Sequence, residues 1–383
     1  MNEGPDVAGL EPIDIPDLCS RIERPDHTFV NAAKQRQETL TKPSGALGKL
    51  EDLSAWLCSV QGQCPPRPLD RVRVVIFAGD HGIARTAQTS AYPPEVTAQM
   101  VMNFIAGGAA VNVLARQNNA SVRIVDMSVD ADYEALGMAV PDDVTRYKVR
   151  RSSGSIDRED ALTYEQAQQA FAAGVAVANE EIDAGVDLLI PGDMGIGNTT
   201  PASTIIALYT NLDAASAVGR GTGIDDLTWM RKTAAVRDAM RRAKPIKADP
   251  MKLLAAVGGA DIAAMTGFLM GASARKTPVL LDGIVSTAAG LLAQRLTYRS
   301  TEWWQAGHRS TEPAQQKALD QFPLVPIVDY ELRLGEGTGA LIALPVLRAA
   351  GNTLREMSTF TQAGVSNRGS AMEDSPDAAP IEL

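Results

Sequence analysis

Cysteine and histidine are scarce in this chain of 383 residues. The three cysteines are Cys19, Cys58 and Cys64, and the three histidines are His27, His81 and His308. No two cysteines form a Cys-x-x-Cys pair, and none lies near a group of histidines. The pattern indicates neither a disulfide framework nor a zinc site, so we expect a protein without a bound metal.

Aromatic residues are also few, at 5% of the chain, although 45% of its residues are hydrophobic. The core must therefore be built from alanine, valine, leucine and isoleucine, which suits parallel sheets covered by helices. Apolar runs of strand length alternate with helical patterns, which predicts an α/β fold: a doubly wound, mostly parallel sheet with helices on both faces. The predicted strands cover residues 71–79, 120–126, 187–190 and 277–282, with shorter ones within 303–308 and at 324–329.

Positive charge is in deficit, since 36 lysines and arginines face 46 acids and the net charge is -10. This balance argues against a nucleic-acid partner and against an anionic membrane surface. The first residues are acidic and contain proline, unlike a signal peptide. No uninterrupted apolar run approaches the ~20 residues of a membrane span. These features predict a soluble cytoplasmic protein.

Composition and periodicity divide the chain into five predicted segments. Residues 1–26 carry prolines and acids without periodicity, and residues 366–383 are dominated by serine, proline, aspartate and alanine; both are predicted to be disordered. A helical pattern covers residues 27–66, and a large α/β nucleotide-binding domain is predicted for residues 67–335. Residues 336–365 are predicted to form a C-terminal helical segment.

The stretch Leu332-Arg-Leu-Gly-Glu-Gly-Thr-Gly-Ala340 places one carboxylate, Glu336, between two glycines. Glycines on both sides of an acid allow backbone conformations closed to other residues and let a ligand approach closely. A simpler interpretation is a turn that enters a helix, with Glu336 favoured by the positive end of the helix dipole. Other glycine-rich turns precede helices earlier in the chain, and they favour the ligand-binding interpretation.

Two earlier turns are suited to hold phosphate. The turn at 191–201 follows a predicted strand, and Thr199 or Thr200 is expected to cap the helix that Pro201 begins. The turn at 219–226 repeats this design. A glycine-rich turn before a helix offers an anion free N–H groups and a positive dipole end. The spacing in the first turn matches neither a dinucleotide fingerprint nor a P-loop.

The first predicted strand ends in Gly79-Asp-His-Gly82. Ligands bind at the carboxyl ends of strands in open α/β sheets, so His81 is a candidate acid or base. A turn residue whose imidazole bonds the backbone is an equally good interpretation of His81.

Several glycine-rich turns at strand ends, one carboxylate and no metal cluster describe a site that binds a phosphate and moves a proton. No Gly-x-Ser-x-Gly elbow for acyl transfer is found. No apolar strand ends in the paired acids expected to hold a magnesium pyrophosphate. The sequence therefore favours a substrate with one phosphate and a bond that is already activated.

Six blocks in the order of the chain carry a resemblance to a known family. They are Thr41-Lys-Pro-Ser-Gly-Ala-Leu-Gly-Lys-Leu50, Gly79-Asp-His-Gly82, Pro94-Glu-Val-Thr-Ala98, Gly192-Asp-Met-Gly-Ile-Gly-Asn-Thr-Thr-Pro201, Val279-Leu-Leu-Asp-Gly283 and Leu332-Arg-Leu-Gly-Glu-Gly-Thr-Gly339. Together, from about residue 28 to 365, they resemble nicotinate-nucleotide–dimethylbenzimidazole phosphoribosyltransferases, enzymes of cobalamin lower-ligand assembly.

The resemblance implies transfer of ribose 5-phosphate from nicotinate mononucleotide to 5,6-dimethylbenzimidazole, with inversion at the anomeric carbon. It implies a homodimer whose large domain is a parallel sheet with helices on both faces, and a small domain of N- and C-terminal helices. Nicotinate on the ribose is a pyridinium, so the bond is activated and neither a metal nor a cofactor is expected.

The resemblance also implies roles for individual residues, with Glu336 as the general base. Residues expected to meet the nucleotide are Asp193, Gly195, Gly197, Asn198, Thr199, Gly221, Gly223 and Lys232. Leu334, Tyr92 and Met100 would flank the aromatic base. Some relatives have serine and glutamine where Tyr92 and Met100 align, so a benzimidazole, a purine such as adenine and a phenolic acceptor all stay open.

Two rival functions remain. The alternation of strands and helices alone suits a nicotinamide-dependent oxidoreductase, against which the missing Gly-x-Gly-x-x-Gly turn counts. The other rival is a non-catalytic nucleotide sensor on the same scaffold. Such a sensor would bind its ligand equally well without the negative charge of Glu336.

Overall fold

The computed structural model describes residues 10–221 and 223–367. Their strands are β1 (Val72–Gly79), β2 (Ala120–Ser128), β3 (Leu188–Met194), β4 (Val279–Leu281) and β5 (Trp304–Ala306). They form one sheet with the order β2-β1-β3-β4-β5, in which every neighbouring pair is parallel. The predicted fold class is confirmed.

Helices connect and cover these strands. They are α1 (Ile15–Arg21), α2 (Thr28–Thr39), α3 (Lys49–Gln61), α4 (Gly82–Thr86), α5 (Val96–Ala106), α6 (Ala110–Gln117), α7 (Asp142–Thr145), α8 (Tyr164–Asp183), α9 (Thr199–Thr210), α10 (Ala214–Ala217), α11 (Asp226–Ala243), α12 (Pro250–Val257), α13 (Ala260–Ala274), α14 (Ile284–Leu296), α15 (Pro313–Leu319), α16 (Thr338–Glu356) and α17 (Phe360–Ala363). Short 3₁₀ turns lie at Lys244–Ile246 and Tyr298–Trp303.

The sheet is central because its strands are apolar on both faces. Every residue of β1 is buried except Arg73, the pattern expected of a parallel strand covered on two sides. Phe77 of β1 meets Phe268 of α13 edge-to-face, with ring centroids 5.3 Å apart. The chain adds β2 on one side of β1 and β3 on the other, so the winding direction reverses between β1 and β3. Ligands of open α/β sheets bind at such a switch point.

Small residues bring α8 and α13 into close contact. A Cβ atom on Gly174 would lie 1.7 Å from the carbonyl oxygen of Ala264, and one on Gly267 would lie 2.0 Å from that of Phe171. Both contacts involve backbone, which cannot rotate away. The two helices therefore pack at a distance that only glycine permits at these positions.

Some local predictions were wrong. Residues 1–26 were predicted to be disordered, but α1 lies within them and buries Leu18, and the Asp14 side chain accepts a hydrogen bond from the Asp17 amide at 3.0 Å. Residues 1–9 and 368–383, which include most of the predicted disordered tail, lie outside the described residues. The strand predicted at 324–329 is a single bridge between His308 and Val328.

Residues 96–117 form the two separate helices α5 and α6. Gly107 has a left-handed backbone, with φ of 77°, and ends α5 before α6 begins. Val96–Gln117 is the one stretch of the described residues with the length and hydropathy of a membrane span, although no such run was expected. In its most apolar window of 18 residues, 39% is buried. Because α5 and α6 are separate, each is far shorter than the ~20 residues that cross a bilayer.

The chain divides into two compact units. The larger contains residues 10–24 and Leu69–Pro345, and the smaller contains Pro25–Pro68 and residues 346–367. The core of the smaller unit is formed by Ala33, Leu40, Ala55, Cys58 and Leu354. The larger unit extends past residue 335, where its end was predicted, because the turn at 335–337 packs against β3 and the loop after β4.

Candidate active site

A cavity of about 340 Å³ lies in the larger unit at the carboxyl end of β3. This is a typical volume for a small-molecule site, and its place agrees with the switch point of the sheet. Eleven of the twelve predicted site residues line it: Glu336, Asp193, Gly195, Gly197, Asn198, Thr199, Gly221, Lys232, Tyr92, Met100 and Leu334. Gly223 does not, although the neighbouring Ile224 does.

Glu336 lies in a turn of three consecutive left-handed residues. The φ angles of Gly335, Glu336 and Gly337 are 87°, 63° and 90°. Residues with a side chain rarely adopt this left-handed backbone conformation, whereas glycine adopts it readily. The two flanking glycines therefore permit the turn that places the Glu336 carboxyl in the cavity wall. Glu336 is 4% exposed, and its Oε2 atom has no hydrogen-bond partner among the described residues.

Burial raises the pKa of Glu336 to about 7. A hydrogen bond from the Val111 amide opposes this rise, and the negative charge of Asp282 adds to it. A carboxyl with a pKa near neutrality is half ionised there and can accept a proton from a substrate. Glu336 therefore has the environment of a general base.

Asp282 fixes the turn that carries Glu336. Its Oδ2 atom accepts a hydrogen bond from the Gly337 amide at 3.1 Å, and its Oδ1 atom accepts one from Ala340 at 2.9 Å. His308 Nε2 lies 3.5 Å from Asp282 Oδ1. Burial raises the pKa of Asp282, while the charge of His308 and the backbone amides oppose the rise. Asp282 thus connects the loop after β4 to the start of α16.

Asp193 lies at the end of β3 beside the same turn. A Cβ atom on Gly335 would lie 3.0 Å from Asp193 Oδ2, which accepts a hydrogen bond from Asn198 Nδ2 at 2.8 Å. Burial raises the pKa of Asp193 well above its usual range, and the charges of Asp282, Asp261 and Glu336 raise it further, against the effect of the Asn198 bond. This favours the protonated form, which can donate a hydrogen bond.

The turn at 191–201, which was predicted to hold phosphate, differs in detail from its prediction. Helix α9 begins at Thr199, and its N-cap is Asn198, whose side chain bonds Asp193 instead of capping the helix. Neither Thr199 nor Thr200 is the cap residue, because both already lie within the helix. The Thr199 hydroxyl instead accepts a hydrogen bond from Lys232 Nζ at 2.7 Å. Gly195 is tightly packed, since a Cβ atom there would lie 2.0 Å from the carbonyl oxygen of Gly79.

Lys232 projects from α11 into the same end of the cavity. It is 2% exposed, and burial lowers its pKa while the charge of Glu312 opposes the decrease. The Lys232 ammonium and the Thr199 hydroxyl lie 2.7 Å apart at the start of α9, and together they form a suitable binding site for one phosphate group.

Part of the cavity lining is apolar. Tyr92 and Leu334 line the cavity and are 51% and 50% exposed, and Met100 and Val96 line it as well. Flexible and aromatic side chains of this kind suit a flat aromatic ligand.

Sequence reasoning assigned no role to several residues of the cavity wall. They are Thr89, Ser90, His308, Ser310, Glu312 and Arg333. The Arg333 guanidinium donates a hydrogen bond to the Gly221 carbonyl. Glu312 precedes Pro313, a pattern that predicts an exposed helix start, so no local signal indicated that Glu312 is buried.

His81 does not line the cavity. It is buried, its Nε2 atom lies 3.0 Å from Asp261 Oδ2, and Ser153 Oγ lies 3.3 Å from its Nδ1 atom. Burial alone would lower the pKa of His81, but the charge and hydrogen bond of Asp261 raise it further than burial lowers it. These contacts indicate a residue that joins the end of β1 to α13.

No group of three or more acidic, cysteine or histidine side chains in the described ranges is arranged to hold a metal ion.

Comparisons with known proteins identify relatives over nearly the whole chain. The family model described as phosphoribosyltransferase, DBI_PRT, matches residues 22–365. A nicotinate-nucleotide–dimethylbenzimidazole phosphoribosyltransferase of Mycolicibacterium paratuberculosis is 58% identical over 90% of this chain and 97% of its own. One of Mycobacterium marinum is 56% identical over 94% and 98%.

A solved structure has the same fold. The crystal structure of CobT from Thermus thermophilus superposes with a TM-score of 0.83 and 39% sequence identity. The match covers 89% of this chain and 99% of that one.

Proposed function

Because the chain belongs to the nicotinate-nucleotide–dimethylbenzimidazole phosphoribosyltransferase family, we propose that it transfers ribose 5-phosphate from nicotinate mononucleotide to 5,6-dimethylbenzimidazole. The products are α-ribazole 5′-phosphate and nicotinate, and the reaction serves the assembly of the cobalamin nucleotide loop. Relatives with this name share more than half of their residues with the chain.

The reaction requires one bond to form as another breaks. A benzimidazole nitrogen attacks the anomeric carbon from the face opposite nicotinate, and the glycosidic electron pair neutralises the pyridinium nitrogen as nicotinate leaves. The second benzimidazole nitrogen then loses its proton. Glu336 accepts that proton, a contribution of ~10²–10⁴ in rate for a well-placed base. Alignment of the two substrates in the cavity contributes at least as much.

The observation that carries this proposal is the pairing of two features in one cavity. A carboxyl with a pKa of about 7 lines it, as does a buried lysine bonded to Thr199. The first suits proton abstraction and the second suits a phosphate. We assign the phosphate to Lys232, Thr199 and the turns at 195–199 and 219–221, and we assign the ribose to Asp193 and Asn198.

The acceptor base binds between Tyr92, Met100 and Leu334 in this proposal. Because these side chains are large and apolar, a purine or a phenol also fits their chemistry, and the same reaction with another lower-ligand base is the second candidate. The chain acts in the cytoplasm as a homodimer, and it uses neither a nucleic-acid nor a membrane partner.

Mass spectrometry tests the proposal directly. The purified protein is incubated with nicotinate mononucleotide and, separately, 5,6-dimethylbenzimidazole, adenine or a simple phenol. We expect a base-dependent riboside phosphate with one equivalent of nicotinate released. Binding of the nucleotide without product from any base would favour the sensor, and binding of NAD instead would favour the oxidoreductase.

A further inference from the structure

Glu312 is a buried acid inside the site. It is 3% exposed, lines the cavity, and immediately precedes α15. Burying a carboxylate is costly unless specific contacts compensate for its lost hydration. The contacts of Glu312 therefore indicate what the residue does.

The carboxylate is held by the turn at 219–221. Its Oε1 atom accepts a hydrogen bond from the Gly221 amide at 2.8 Å. A Cβ atom on Gly219 would lie only 2.3 Å from Oε2, so the backbone of the turn packs directly on the carboxylate. Arg333 bonds the Gly221 carbonyl from another segment. Gly221 is thus held at its amide by Glu312 and at its carbonyl by Arg333.

The same carboxylate acts on Lys232. A Cβ atom on Gly221 would lie 3.9 Å from Lys232 Nζ and 4.0 Å from Glu312 Oε1, so both charged groups flank one residue of the turn. Lys232 is 2% exposed, and a buried ammonium loses its proton readily unless an opposite charge lies nearby. Glu312 supplies that charge.

We propose that Glu312 is a positioning residue for the nucleotide phosphate, which holds the turn at 219–221 in place and keeps the neighbouring Lys232 ammonium charged. This inference rests on the proposed function, since it assigns the phosphate to Lys232 and the turn. Glu312 acts through these groups and not by touching the substrate, because both of its oxygen atoms face the turn and its Oε2 atom is enclosed.

Glu312→Gln is the appropriate change because it preserves size and one acceptor oxygen but removes the charge. Binding is measured by calorimetry with nicotinate mononucleotide and with nicotinate riboside, which lacks the phosphate. We expect the dissociation constant of the mononucleotide to rise about tenfold, the usual loss when one charged contact is weakened. Binding of the riboside should stay within about twofold, and kcat at saturating nucleotide should be retained.

Two further variants sharpen the result. Glu312→Asp keeps the charge and should restore part of the mononucleotide affinity. Asp320→Asn removes one exposed negative charge just after α15 and should change the affinity for neither ligand. Equal weakening of both ligands in Glu312→Gln would show a structural role only and would overturn the proposal, as would unchanged binding of the mononucleotide.

Inorganic phosphate separates this inference from the proposed reaction. If the wild-type protein fails to turn over the mononucleotide but binds phosphate, and Glu312→Gln binds phosphate more weakly, the reaction is wrong and the role of Glu312 stands. If wild type and variant bind phosphate equally, the role of Glu312 is wrong whatever the reaction.

Discussion

Glu336 must be ionised to accept a proton, and its surroundings set the pH at which that happens. Burial raises its pKa to about 7. The base is therefore active above this pH and protonated below it, so kcat should fall about tenfold for each pH unit below 6 and level off above 8. Steady-state rates from pH 5 to 9 at saturating substrates measure this. A flat profile down to pH 5 would contradict the assignment.

The charge of Glu336 should be needed for turnover and not for nucleotide binding. Glu336→Gln keeps the shape of the side chain, and we expect kcat to fall by ~10²–10⁴ while the affinity for nicotinate mononucleotide stays within a few-fold. Glu331→Gln is the matched control, since Glu331 is exposed in the same segment. Full activity in Glu336→Gln would exclude the residue as the base.

At the scale of secondary structure, β3 and the turn at 335–337 form a single tight contact. A Cβ atom on Gly192 would lie 2.5 Å from the carbonyl oxygen of Glu336. Gly192→Ala should therefore displace this turn, lower kcat by ~10²-fold through misplacement of the base, and cost about 1–3 kcal/mol of stability. Enzyme kinetics and denaturant unfolding give both numbers.

Gly351→Ala serves as the control for that substitution. Its nearest neighbour would be the flexible end of Leu57 at 3.3 Å, so activity should be unchanged. If Gly192→Ala were equally harmless, the contact between β3 and the turn would have no part in placing Glu336.

Local patterns predicted the elements whose sequence signal is strong. The apolar runs predicted β1, β2 and β3 to within a few residues, because most residues of these parallel strands are buried. The 324–329 run is also apolar but pairs at one residue only. Pro326 in its middle has no N–H to donate, which is a local signal against a regular strand. The Asn198 cap was missed because its side chain bonds Asp193 on the preceding strand.

Glu336 and the turns at 191–201 and 219–226 were predictable because glycine-rich turns and the Glu336 motif are local signals. Tyr92, Met100 and Leu334 were expected only from the family resemblance. Glu312 and His308 could not be predicted in this way, because each is important through a partner far along the chain. Glu312 accepts a hydrogen bond from Gly221, and His308 lies beside Asp282. Such contacts arise from the topology of the sheet, which no short stretch of sequence contains.

At the scale of the whole molecule, buried titratable groups link the site to stability. Burial raises the pKa of Glu336 to about 7 and that of Asp80 to about 6, and the pKa of His81 is also raised because its Asp261 partner outweighs burial. Each group binds its proton more tightly in the folded chain than in the unfolded one. The stability that these groups contribute is therefore complete at low pH, and it is lost as the pH rises through their pKa values in the folded chain.

We expect the free energy of unfolding to decrease between pH 5 and pH 8, measured by urea titration at each pH. Glu336→Gln should flatten the part of this profile near pH 7 and should raise stability at pH 8, where it replaces a buried charge by a neutral amide. Stability that increases steadily from pH 5 to pH 8 would contradict the protonation states assigned here.

The run of left-handed residues at 335–337 restricts the paths open to this sequence during evolution. Replacing either glycine strains the backbone, and replacing Glu336 alone leaves two glycines with no base to present. A lineage that abandons the reaction would therefore lose all three positions together. A Gly-Glu-Gly triplet at this point of the sheet is consequently a more informative marker of retained activity in a distant descendant than the acid by itself.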